Sequence, residues 1–478
     1  MIDGLALGAG LVVLAGVAIT AVDALIKRAD AGVALILGVT VLDAAFGLNL
    51  PSLWIGTTKV NLPDVVFTLV LAAAIARLLR AQRLTPLQRG LLAFGALVLV
   101  SLLRGVAVFG VEGSVSEARR YLRLAGGALY LASFPPSQWL NDRIGRIWLA
   151  MAAPMMLLVC LRWGEMFAGL QLGPMSDPNG AAIRAINGDH TFFLAEAFLL
   201  TVPAWRAQRD GTRRLRQLSA LLLLFVVLLN RRTIWLALVV SVVVLVLRDR
   251  TLGRRALVLL ACSAAVAAGV LVSLPQAAAD GERPLARGVT ETANLEWRIA
   301  GWRELIKSGP ERPSGWVFGQ PFGGGYARQF GARELETNPH SFYLETVLRT
   351  GLAGVVVFIL LSGAALRAVW STAPPSGGLL GPDILPAMLA MQLVWLVTWA
   401  PGMEQGLVTG LAVAWAAAGL RCHGTVRAAS AIQLAEERPV YVFENCGCDP
   451  WAKRSGARFR WPGMGDSPSP WPPKPLQR

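Results

Sequence analysis

Three histidines occur in the 478 residues: His190, His340 and His423. His190 follows two polar turns, Asp177-Pro178-Asn179-Gly180 and Asn187-Gly188-Asp189, and His340 lies in Asn338-Pro339-His340-Ser341-Phe342-Tyr343-Leu344. Imidazole is the side chain best suited to proton transfer near neutral pH, so each of the first two is a candidate general base. A histidine at a loop–helix junction serves equally well as an interfacial side chain, and both readings stand. The second chemistry-bearing group is a set of arginines: Arg184, Arg231, Arg232, Arg298 and Arg303. Guanidinium groups hold phosphates through paired hydrogen bonds. The competing role is snorkelling to lipid headgroups. Two arginines side by side at 231 and 232 favour an anion site.

Metal and cofactor signals are weak. Glu334 and Glu336 form a lone Glu-x-Glu beside His340, and Cys422, His423, Cys446 and Cys448 do not follow a standard zinc spacing. No metal and no cofactor are expected. The run Gly319-Gln320-Pro321-Phe322-Gly323-Gly324-Gly325 lacks the Gly-Lys-(Ser/Thr) of a P-loop. It reads as turn geometry, with backbone amides near a phosphate as the sharper alternative. Glu196, Glu404 and Asp43 either line a cavity or sit at solvated helix ends. Cys160 and Cys262 read as core.

The elements that must position these residues follow from composition. Hydrophobic residues make up 54% of the chain and charged residues 16%, against about 25% charged in soluble proteins. The apolar residues come in long runs broken by arginine clusters, which excludes a large soluble domain. Five cysteines are too few for a disulfide framework. A net charge of +15 in so apolar a chain belongs to membrane-flanking loops rather than to nucleic-acid binding. An all-α polytopic integral membrane protein is therefore expected, with about 12–13 transmembrane helices of about 20 apolar residues each. They fall near 4–25, 31–48, 62–79, 90–108, 119–134, 147–163, 191–205, 218–230, 233–247, 256–273, 343–369, 383–400 and 406–420. The first is not expected to be a cleaved signal peptide, because no Lys or Arg precedes Lys27. One large extracytoplasmic loop covers about 274–342. Residues 1–420 form the transmembrane domain, and 421–478 a cytoplasmic, disordered tail rich in Pro and Trp.

Orientation follows from basic loops. Arg77, Arg80, Arg83 and Arg89, then Arg206 to Arg216, then Arg248 to Arg255, mark the inner side. The run Arg119, Arg120, Arg123 contradicts the pattern. Residues 218–247 admit one long helix or a hairpin. A single helix buries Arg231 and Arg232 at the bilayer centre, at about 2.5–3.5 kcal/mol each, so the hairpin is preferred. Its arms are short, about 20 Å against a core of about 30 Å, which puts the arginine pair below the outer surface.

The segment Asn338-Pro339-His340-Ser341-Phe342-Tyr343-Leu344, followed by Gly351-Leu352-Ala353-Gly354, resembles the signature of the O-antigen ligase and polymerase family. Asn230-Arg231-Arg232-Thr233 is similar to the family's Ser-Arg hairpin, Glu296-Trp297-Arg298 to its second arginine, and Gly319–Tyr326 to its Gly-rich turn. Arg184 to Gly188 resembles its Arg-x-x-Gly segment. Ser341 and Arg231 depart from the family's usual Asn and Ser. The resemblance spans roughly 180–420. It implies a metal-independent, inverting glycosyltransferase at the outer face of the bacterial inner membrane. The donor is a glycan on undecaprenyl pyrophosphate, and the acceptor a sugar hydroxyl on a lipid core or a second glycan. His340 is the implied base, with Arg232 and Arg298 as the other catalytic residues. Arg231, Arg184 and Tyr343 are the implied substrate-binding residues. The resemblance does not separate ligase from polymerase. A transporter or flippase for lipid-linked sugars is the alternative, although no internal repeat is visible.

Overall fold

A computed structural model describes residues 2–47, 50, 52–55, 58–168, 185–205, 212–229, 231–273, 293–310, 312–330, 333–336, 338–372 and 379–436. The chain divides into Met1–Arg421 and Cys422–Arg478. The described part is helical apart from two short antiparallel hairpins: β1 (Ser52–Ile55) with β2 (Thr58–Asn61), and β3 (Arg328–Phe330) with β4 (Arg333–Leu335). The helices are α1 (Ile2–Lys27), α2 (Ala29–Phe46), α3 (Leu62–Arg80), α4 (Pro86–Phe109), α5 (Val111–Ala132), α6 (Gln138–Ala168) and α7 (Gly188–Thr201). They continue with α8 (Thr212–Leu228), α9 (Arg232–Arg248), α10 (Arg250–Ser273), α11 (Ala293–Lys307), α12 (Pro313–Phe318), α13 (Phe342–Ser371), α14 (Leu385–Trp395) and α15 (Met403–Glu436). Each span expected from hydropathy overlaps one of these helices. Among the described residues, five are long and apolar enough by themselves to cross a membrane: Ala29–Phe46, Leu62–Arg80, Pro86–Phe109, Gln138–Glu165 and Phe342–Ser371. The molecule is an all-α polytopic membrane protein.

Local chemistry sets the boundaries. The Asp64 carboxylate accepts from the Asn61 amide (3.0 Å) at the start of α3, and Gln88 Oε1 accepts from the Thr85 amide (2.9 Å) at the start of α4. Both are reciprocal caps that satisfy orphan amides. Helix α8 ends at Leu228 and Arg231 is extended (φ −107°, ψ 99°) before α9 begins. The chain over 218–247 is therefore two helices, and α10 packs against both. Small residues let α5 and α15 approach closely. A Cβ on Gly127 would lie 2.7 Å from the Met403 carbonyl, and one on Gly410 2.3 Å from that of Ala128.

The structure departs from expectation in several places. Arg119, Arg120 and Arg123 lie within α5, where Arg119 Nε (3.3 Å) and Arg123 Nη2 (2.7 Å) both pair with Asp64. Placed within a helix, they are not part of a connecting loop. Cys160 and Cys262 are exposed, not core; in a membrane bundle the outer surface is as apolar as the interior, so hydropathy does not tell them apart. The stretch 293–336 contains two helices and a hairpin rather than a plain loop. Helix α15 runs to Glu436, past the expected boundary at 420, because Ala428, Ala429, Ala431, Leu434 and Ala435 favour helix up to Pro439. Cys446, Cys448 and the Pro/Trp segment lie outside the described residues, as does Arg184.

Candidate functional site

The signature segment is held by its backbone. Ser341 caps α13, its hydroxyl accepting from the Leu344 amide at 3.4 Å. The Phe342 amide donates to the carbonyls of Leu396 (3.0 Å) and Trp399 (3.2 Å), tying the helix start to the chain after α14. His340 sits just before the cap with φ 53°, left-handed backbone in a residue that is not glycine. Such a conformation costs about 1–3 kcal/mol and persists only where neighbours enforce it. Here Trp302 Nε1 donates to the Pro339 carbonyl at 2.6 Å, and the Asn338 amide oxygen accepts from Arg120 Nη1 (2.9 Å) and Nη2 (2.5 Å). The two residues before His340 are thus clamped from α11 and α5.

The imidazole meets the Trp399 ring edge-on, centroids 5.8 Å apart. Trp399 stacks flat on Trp395 (5.0 Å, 3°), which stacks on Phe192 of α7 (5.0 Å, 24°). Arg298 shares this plate. Its guanidinium carbon lies 5.8 Å from the Trp399 centroid, and Nη1 donates to the Thr398 carbonyl at 3.0 Å. His340 and Arg298, far apart in sequence, are brought together on one tryptophan.

Electrostatics complete the site. Burial, and then the guanidinium groups of Arg298, Arg120 and Arg328, push the His340 imidazole down to about pKa 4. At neutral pH it is uncharged and able to accept a proton. Arg328 is itself buried, donates to the Tyr326 carbonyl (3.1 Å) and lies over the Trp297 ring at 5.7 Å. Arg120 pairs with the buried Glu345 at 3.5 Å. A neutral base surrounded by three cations suits a reaction in which a hydroxyl loses its proton while an anion is held or released alongside.

The glycine-rich turn has a different role from phosphate binding. Glu117 accepts from the amides of Gly323 (3.0 Å) and Gly325 (2.7 Å), and the same carboxylate pairs with Arg349 Nε at 2.9 Å. Arg349, 1% exposed, also donates to the carbonyls of Pro321 (3.0 Å) and Gly325. The two amides are therefore committed to an internal carboxylate, which supports the turn-geometry reading. Gly319 (φ 72°) and Gly351 (φ 72°) are required by close approach: a Cβ on Gly351 would lie 2.1 Å from the Val317 carbonyl. The Gly351–Gly354 motif is thus the kink at which α12 packs on α13.

The other expected residues are placed as follows. Arg231 is buried and donates to the Ile186 carbonyl at 2.8 Å, while its neighbour Arg232 opens α9 and is exposed. The Tyr343 hydroxyl donates to the Leu393 carbonyl at 3.0 Å. His190 is buried rather than interfacial, with Nε2 3.4 Å from Asp43. Glu196 and Glu404 are buried as well, not solvated helix ends. Sequence reasoning missed Arg120, Arg328 and Trp399. Arg120 carried one usable signal, a basic residue inside a span where charge is expensive. Trp399 carried none.

No curated protein matches the chain. The five helices able to span a membrane and the site around His340 agree with a family match that covers Arg231, Arg232, Arg298, the glycine-rich turn and His340. Residues 217–359 match the family model Wzy_C, O-antigen ligase, and this match supports the resemblance to the O-antigen ligase and polymerase family.

Proposed function

We propose that the protein is a metal-independent, inverting membrane glycosyltransferase. It transfers a glycan from undecaprenyl pyrophosphate to a sugar hydroxyl on the outer face of the inner membrane. The observation that carries this reading is His340, a neutral imidazole in a left-handed backbone position among Arg298, Arg120 and Arg328. The acceptor hydroxyl gives its proton to His340 as its oxygen bonds to the anomeric carbon. The bond from that carbon to the pyrophosphate oxygen breaks, and undecaprenyl pyrophosphate leaves with the electron pair. Arg298, with Arg120 and the Arg231–Arg232 pair, stabilises the charge that develops on the leaving group. Arg184 and Tyr343 belong to the same substrate-binding set.

Anion binding also tunes the base. Two or more negative charges on the pyrophosphate offset the guanidinium field, so His340 becomes a stronger base when the donor is present than when it is absent. The test is substitution of His340→Ala and Arg232→Ala separately, with surface glycan resolved by gel electrophoresis. The expected result is normal membrane insertion, loss of ligated or polymerised glycan, and accumulation of lipid-linked donor outside. Unchanged glycan in both variants overturns the proposal. A reporter fused within 274–338 that reads cytoplasmic overturns the sidedness.

A further inference from the structure

Beyond the His340 site, one cluster is built from residues that neither the mechanism nor the family match uses. Asp43 near the end of α2 meets Asp189 and His190 at the start of α7. One oxygen of each carboxylate and one imidazole nitrogen lie within 4.8 Å of one another. His190 Nε2 is 3.4 Å from Asp43 Oδ2, and Nδ1 is 3.9 Å from Asp189 Oδ1. The imidazole is 2% exposed, and its Nδ1 and Asp189 Oδ1 have no hydrogen-bond partner. Among the described residues, no arginine or lysine forms a salt bridge with Asp43 or Asp189. Glu404, buried at the start of α15, acts electrostatically on both His190 and Asp189. Negative charge thus accumulates around one buried imidazole in a chain of net charge +15.

We infer that Asp43, Asp189 and His190 bind a divalent cation of the Mn²⁺ or Zn²⁺ class. Ligands on one such ion stand about 2.0–2.2 Å from it, so two of them are at most about 4.4 Å apart. The cluster is close to that span, and both carboxylates are partly exposed (42% and 39%), so small side-chain rotations close the remainder. A mixed nitrogen and oxygen set selects first-row transition ions and zinc over Ca²⁺ and Mg²⁺, which take oxygen. Three protein ligands leave coordination positions open. Glu404 is suited to the outer shell that orients such ligands. The cluster adjoins the tryptophan plate, since a Cβ on Gly188 would lie 2.9 Å from Trp395 and 3.0 Å from Trp399. A bound cation fixes the start of α7 against the plate that supports His340.

The test uses the full chain in detergent, stripped with chelator and titrated with MnCl₂ while free Mn²⁺ is followed by electron paramagnetic resonance. The expected result is one equivalent bound, displaced by Zn²⁺. Asp43→Asn and His190→Gln should each weaken binding at least tenfold, and Glu336→Gln should leave it unchanged. No stoichiometric binding, or wild-type binding in both variants, overturns the inference. So does a cluster held by a protonated imidazole alone, which would show no Mn²⁺ binding at any pH from 5 to 8. If His190→Gln fails to fold, the half-exposed Asp43→Asn carries the test. Binding is read without turnover, so its failure leaves the proposed glycosyl transfer untouched.

Discussion

His340 and His190 are tied to the same pair of tryptophans yet sit in opposite fields. His340 lies against the edge of Trp399 among Arg298, Arg120 and Arg328. His190 lies between Asp43 and Asp189, joined to the plate through its helix neighbours Gly188 and Phe192. Side-chain chemistry is identical, and the neighbours decide what each imidazole does. A neutral imidazole beside cations suits the proposed base, which takes a hydroxyl proton while the cations hold an anionic donor. An imidazole beside carboxylates is a partner for a cation.

The largest expected effect separates the two directly. His340→Ala should lower the transfer rate by about 10²–10⁴-fold with little change in melting temperature, measured with lipid-linked donor and purified protein. Equal loss on His190→Gln in metal-free buffer would erase the distinction.

A second comparison sets Arg298, of the proposed catalytic set, against a structural arginine. Arg349 is fully buried on Glu117, so Arg349→Met should destabilise the protein by about 3–5 kcal/mol, because it leaves the largely buried Glu117 carboxylate without its counter-charge. Chemical denaturation in detergent reads this. Arg298→Ala should instead cost about 10²–10³ in rate at nearly constant stability, with Arg298→Lys recovering only part because one ammonium cannot replace a planar fork.

The pH dependence sharpens the contrast further. His340 is depressed to about 4 in the folded protein, below the ordinary value near 6.5. It stays neutral through the weakly acidic range, so the acid limb of kcat/KM should fall near pH 4 rather than 6.5. Arg120→Gln should move that limb upward, and Asp43→Asn should not. For stability the sign is the same: the unfolded chain binds the proton first, so stability is lost as pH falls from about 6.5 toward 4. The smallest effect expected is for Tyr343→Phe, about 1 kcal/mol of stability from the lost bond to Leu393. A large rise in KM with intact folding would instead favour its role as a substrate contact.

Much of this architecture was legible in the chain. Hydropathy located the helices because burial in lipid demands about 20 apolar residues in a row, and the cost of two mid-membrane arginines placed the break before α9. His340 and Arg298 were legible through a local signature, Gly351 through its neighbours in the same motif. Sequence determined, then, where the helices run, where they break and which side chains are candidates for chemistry. Tertiary structure decided which of those residues meet. Arg120 joins His340 from α5, Trp399 from the chain after α14, and Asp43 reaches His190 across more than a hundred residues. Apolar periodicity in a membrane chain does not distinguish the lipid face from the protein face. Contacts between helices, and the charges they gather, therefore depend on packing that no local pattern records.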